Sequence, residues 1–91
     1  MYDKQRIRAA KLQIRRVLLE EWDPIGVADE PLAQDEYDGY LGGIYDLLER
    51  GAAEEKIVNH LYFTETVNMG MRGQSQDKLL DVAKSLKRIL L

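Results

Sequence analysis

The chain has 91 residues, 45% of them hydrophobic and 32% charged, with a formal net charge of -3 and no cysteine. That length supports one core, so a single helical domain over residues 1–91 is expected, and the composition places the chain among soluble globular domains rather than disordered ones. Without cysteine, disulfides, thiolate zinc sites and cysteine nucleophiles are excluded, and a reducing cytoplasm is the natural compartment. The apolar runs, such as Val17-Leu18-Leu19, are too short to cross a bilayer, and the basic N-terminus lacks the apolar stretch of a signal peptide.

The first predicted helix runs from about Lys4 to Glu21, with Asp3 as its N-cap and with Ile7, Ala10, Ile14, Val17, Leu18 and Trp22 on one face. Leu12 and Leu19 make a second, thinner stripe that either widens the core contact or meets a partner. Lys4, Arg6, Arg8, Lys11, Arg15 and Arg16 are unopposed by any acid up to Leu19, whereas Glu20 and Glu21 close the helix. This order runs against the helix dipole and calls for tertiary or intermolecular compensation.

Pro24, Gly26 and Pro31 end that helix and hold a connection of roughly a dozen residues. Trp22 and Ile25 are expected to turn inward, folding the loop over one end of the bundle, with Asp23 as a turn former. The second helix is expected to begin near Gln34 or Asp35 and to end at Gly51, with Tyr37, Tyr40, Leu41, Ile44, Leu47 and Leu48 on its apolar face. Gly39, Gly42 and Gly43 fall on the opposite side with Asp35 and Asp46. Three helical glycines cost about 2 to 3 kcal/mol relative to alanine, which calls for a reason such as close approach of another element. A groove over Gly39 and Gly43 is filled either by the loop or first helix of the same chain, the preferred reading, or by a partner.

The third helix spans about Ala53 to Met69, with Ile57, Val58, Leu61, Phe63, Val67 and Met69 on a broad apolar surface, and stops at Gly70. The fourth starts at a Ser75 N-cap and continues to the C-terminus, with Leu79, Val82, Ala83, Leu86, Ile89 and Leu90 as its stripe. The expected fold is therefore all-α: a compact antiparallel bundle of about four helices with a long loop between the first and second.

Taken together, Trp22-Asp23-Pro24-Ile25-Gly26-Val27, Asp35-Glu36-Tyr37-Asp38-Gly39-Tyr40, Leu47-Leu48 with Gly51, and Met69-Gly70 resemble the YugE-like family of small bacterial proteins. The resemblance covers about residues 17 to 71. It implies a compact four-helix fold and no established activity, and some relatives are associated with toxin-neutralising contexts, which suggests an inhibitor or immunity role.

No catalytic, metal or cofactor motif stands out, and no cofactor is expected. His60, the single histidine, sits at the edge of an apolar face and reads as a packing residue. Glu65 falls between Val58, Leu61 and Tyr62 and should need a donor, with Arg8, Arg15 or a tyrosine hydroxyl as candidates. Gln34 stands where a calcium loop needs its first acid and Tyr45 where it needs a bidentate Glu, so an EF-hand is rejected. Ser75-Gln76-Asp77-Lys78 has serine-lysine spacing but none of the accompanying motifs, so capping is the better account. Between Glu20 and Glu55 twelve acids face one base, Arg50. That segment either pairs with the basic first helix of its own chain or recruits a partner with a basic surface, or a second copy, through Asp35, Glu36, Asp38, Gly39, Gly43 and Asp46. A non-enzymatic interaction module is the preferred class. The alternatives are a nucleic-acid-associated protein using the first helix, whose bases form no single face, and a small hydrolase with acidic site residues; membrane binding is not expected.

Overall fold

Apolar residues three and four apart commit this sequence to helices, and the turn chemistry between them sets how they return on one another. The computed structural model describes residues 4–89 and 91. Within it, α1 spans Lys4–Val17 and continues as a π-helical turn over Leu18–Trp22. A long connection with two 3-10 turns, Pro31–Ala33 and Asp38–Tyr40, leads to α2, Leu41–Glu49. Next come α3, Glu54–Phe63, with its own π-helical extension over Thr64–Asn68, and α4, Gln76–Lys87. The expected Asp3 cap and the contribution of Leu90 lie outside the described residues. The protein is an all-α bundle, and no strand occurs among the described residues.

Ala10, Ile14, Leu18, Leu19 and Trp22 from α1 and its extension meet Leu41 and Ile44 of α2, Ile57, Val58 and Leu61 of α3, and Leu79, Val82, Ala83 and Leu86 of α4. Each aliphatic side chain removed from water here contributes on the order of 1.5–3 kcal/mol. α3 and α4 share the most extensive contact, joined by a short connection, while α1 packs on both α2 and α4. Two ends follow the predicted capping chemistry. Gly51, at φ +70°, closes α2 as its N–H donates to the Leu48 carbonyl and that of Ala52 to Leu47, and the Ser75 hydroxyl accepts from the Lys78 N–H at 3.2 Å.

Several expectations need correction. α2 begins at Leu41, not near Asp35: residues 34–40 form turns and a 3-10 helix because Tyr37 and Asp38 are held by α1 and the loop rather than by a helical ladder. Gly39 therefore lies in the 3-10 turn, and only Gly42 and Gly43 carry the cost of glycine inside an α-helix. Ile25 is 43% exposed, so Trp22 alone of that pair is anchored in the core. Phe63 and Val67 point outward, at 56% and 61% exposure, because the core stripe of α3 runs through Ile57, Val58, Leu61, Thr64 and Glu65. No helix among the described residues is long and apolar enough to cross a membrane.

Candidate functional site

Of the motif residues, Trp22, Asp23, Tyr37 and Tyr40 come together. Trp22 is buried at the last position of the π turn, and its indole N–H donates to Glu65 Oε1 at 2.7 Å. Glu65 is itself fully buried, on the π turn after α3. Gln74, in the loop before α4, completes its shell: its amide side chain donates to Oε1 at 2.7 Å and its backbone N–H to Oε2 at 2.7 Å. The same Gln74 side chain reaches the Trp22 carbonyl at 3.0 Å. Both carboxylate oxygens are thus satisfied without any cation, and none of Arg8, Arg15 or a tyrosine hydroxyl supplies the donor expected from the sequence. Glu65 is fully buried, with both oxygens turned to protein donors.

Around this carboxylate the aromatic residues lock the loop. The Tyr37 ring lies 5.2 Å from Trp22 and tilted by 53°, and Tyr40 meets Trp22 edge-on at 6.3 Å. The Tyr37 hydroxyl donates to Asp23 Oδ1 at 2.8 Å and accepts the Ile25 N–H at 3.1 Å. Burial and the Asp23 carboxylate together push the Tyr37 phenol well above its usual range, with only the Ile25 bond acting the other way. Asp23 adopts a left-handed conformation at φ +33° and accepts the Val27 and Ala28 amides at 2.8 and 3.1 Å. Burial raises its pKa, but the bonds from Tyr37, Val27 and Ala28 outweigh burial and hold it below the ordinary carboxylate range. Asp23 is a turn former, as its position before Pro24 suggested.

The six residues expected to form a contact surface are distributed over three places. Asp38 is ion-paired with Arg15, whose Nε donates to Oδ1 at 2.8 Å and whose Nη2 meets Oδ2, and Asp35 lies close enough to reinforce the charge on the same guanidinium. That bond to Asp38 is the main cause of the raised Arg15 pKa, against some loss from burial. Glu36 and Gly39 are exposed beside this pair. Gly43 turns toward α3, where a Cβ would lie 3.5 Å from the His60 ring, so its face is covered by neither the loop nor the first helix. Burial lowers the pKa of His60, favouring the neutral imidazole of a packing residue. Asp46 opens on the other flank of α2, in a cleft shared with Ile7, Lys11, Gly42, Tyr45 and Glu49.

Asp35, Glu36, Asp38 and Gly39 therefore form one patch, which Gly43 and Asp46 do not join. Among the described residues no three acids or histidines converge closely enough to hold a metal ion. Gln74 is the residue that sequence reasoning missed, since a glutamine between Gly73 and Ser75 carries no periodic or motif signal. No protein-family model, no curated protein and no solved structure matches this chain.

Proposed function

We propose that this chain is a non-enzymatic protein-interaction module of the inhibitor or immunity type, akin to the YugE-like proteins its motifs resemble, and that it meets a basic partner through its acidic middle segment. The observation that carries this reading is how little of that segment is neutralised within the fold. Of its twelve acids, Glu20, Asp29, Glu30, Asp35, Glu36, Asp46, Glu49 and Glu55 are exposed. Among the described residues, the ion pair that joins the basic first helix to this segment is Arg15 with Asp38. A surface of one sign accelerates encounter with a surface of the other and rejects like-charged competitors. The Trp22–Glu65 contact supports a structural rather than a chemical role for the motif residues, because both side chains are fully buried and Glu65 is held by the half-buried Gln74 as well.

Affinity purification from a bacterial lysate tests the reading. A basic protein should be retained near physiological salt and released in about 1 M salt, where the Debye length falls to about 3 Å. Replacing Asp29, Glu30, Asp35 and Glu36 together by lysine should abolish retention, and nuclease should leave it intact. A partner lost with nuclease would replace the reading with nucleic-acid association through the first helix. A small-molecule turnover abolished by His60→Ala would replace it with catalysis.

A further inference from the structure

Lys4, Ile7, Arg8, Lys11, Leu12 and Arg15 recur three and four apart along α1 and line one open cleft of about 370 Å³, with Leu41 at the start of α2 also in its lining. Lys4, Arg8 and Leu12 make one row at a spacing of four, and Ile7, Lys11 and Arg15 make a second. Two such rows are the surface against which another helix packs its own ridges. From Lys4 to Arg15 the strip runs about 16 Å along the helix axis, three turns. Its apolar part is incompletely covered within the chain, since Leu12 is 54% exposed and Ile7 is half-buried. Its charge has one sign, because none of the lining residues is acidic. Arg15 is engaged by Asp38, but the side chains of Lys4, Arg8 and Lys11 make no hydrogen bond or ion pair among the described residues. Past Ile7 and Lys11 the sign reverses, where Asp46 and Glu49 line the neighbouring cleft.

We infer that this cleft docks an acidic amphipathic helix of a partner protein, whose aliphatic side chains cover Leu12 and Ile7 and whose carboxylates meet Lys4, Arg8 and Lys11. Three features select this occupant. The uncompensated lysine and arginine side chains set its charge, and Asp46 and Glu49 repel it on one flank, which fixes where it lies. The exposed leucine and half-buried isoleucine require apolar groups opposite them, as in helix-in-groove recognition. A phosphate backbone satisfies the cations but sets charge against Leu12, so nucleic acid fits only half of the surface. The open shape sets the size, since a small molecule here leaves its outer side in water, whereas small-molecule sites enclose most of the ligand. This face is separate from the acidic middle segment and takes a partner of the opposite charge, so it stands or falls independently of the function proposed above.

Fluorescence anisotropy of the full chain with a labelled synthetic peptide tests the inference. The peptide has about 14 residues, with leucines three and four apart on one face and glutamates flanking them. The wild type should bind it, less tightly as salt is raised, and should bind a scrambled peptide of the same composition at least about tenfold more weakly. Leu12→Asp should weaken binding by about tenfold or more while leaving the helical circular dichroism spectrum unchanged. Arg8→Glu combined with Lys11→Glu should lose the glutamate peptide and gain its lysine counterpart, an exchange that a merely unfolded chain cannot show. No binding up to about 1 mM peptide, or equal binding of the scrambled control, would overturn the inference. Three further outcomes would overturn it in favour of another occupant: duplex DNA bound more tightly than the peptide and lost with the double reversal, dodecanoate bound at Leu12 in place of the peptide, or self-association of the wild type abolished by Leu12→Asp with no peptide bound.

Discussion

The indole N–H of Trp22 and the carboxylate of Glu65, 43 positions apart in sequence and each carried on a π-helical turn, meet at 2.7 Å. A buried carboxylate without a counter-ion is held here by three N–H donors. Because both oxygens accept from nitrogen, an amide in either orientation sets donor against donor. Glu65→Gln should therefore destabilise the fold by about 2–4 kcal/mol, despite its near-identical shape. Urea denaturation checks this, and stability equal to wild type would show that the donors find other partners.

Trp22 contributes through both its ring and its N–H. Trp22→Phe keeps most of the packing but removes one donor to Glu65 and should cost about 1–3 kcal/mol, whereas Trp22→Ala should cost about 3–5 kcal/mol. In the wild type, tryptophan emission should resist iodide quenching, since the ring is 1% exposed. Red-shifted emission quenched freely by iodide would contradict the burial.

Two glycines should respond in opposite directions to the same added methyl. At Gly43 a Cβ meets the His60 ring at 3.5 Å, an ordinary contact, so Gly43→Ala should gain up to about 1 kcal/mol of helix propensity and raise the melting temperature. At Gly73 the backbone sits at φ +93° and a Cβ would come within 2.7 Å of the Tyr62 ring. Gly73→Ala should lose about 1–3 kcal/mol. Thermal melts of the pair check both signs.

The titrations of Asp23 and His60 act in the same direction at different pH. The folded pKa of Asp23 is depressed, so its contribution is present above the unfolded value near 3.8 and is lost as pH falls through the folded one. His60 is also depressed, here because burial disfavours the charged ring, so the unfolded state takes up its proton first and stability begins to fall once pH drops below about 6.5. The stability difference between wild type and Asp23→Asn should shrink in strong acid, and His60→Gln should flatten the decline between neutrality and pH 5. Denaturation curves across pH measure both; a decline unchanged in His60→Gln would assign it to other groups.

The helices were legible because their signals are local. The stripes of α1 and α4, the Ser75 cap and the glycine stop at Gly51 follow from period and turn chemistry within a few residues. The start of α2 was not legible, because Tyr37 and Asp38 are claimed by Asp23 and Arg15, more than ten residues away, and such competition has no local signature. Glu65 could be suspected from its place on an apolar face, yet its donors could not be named: Gln74 is held by loop geometry and Trp22 by the π turn beneath it. The expected contact residues illustrate the same limit. A helical wheel extended through residues 35–40 groups Asp35, Gly39, Gly43 and Asp46, and the turn and 3-10 backbone there, which is not α-helical, separates them.

The π turn at Leu18–Trp22 also governs the phase of α1. In an α-helix, positions four apart advance 40° around the axis with each step, so Ala10, Ile14, Leu18 and Trp22 would drift steadily away from a common line. A π turn winds more slowly, and over Leu18–Trp22 it cancels part of that drift, which keeps all four residues buried. The extra residue it accommodates acts as a phase correction, delivering the indole to the carboxylate and leaving Asp23 at the angle from which the loop departs.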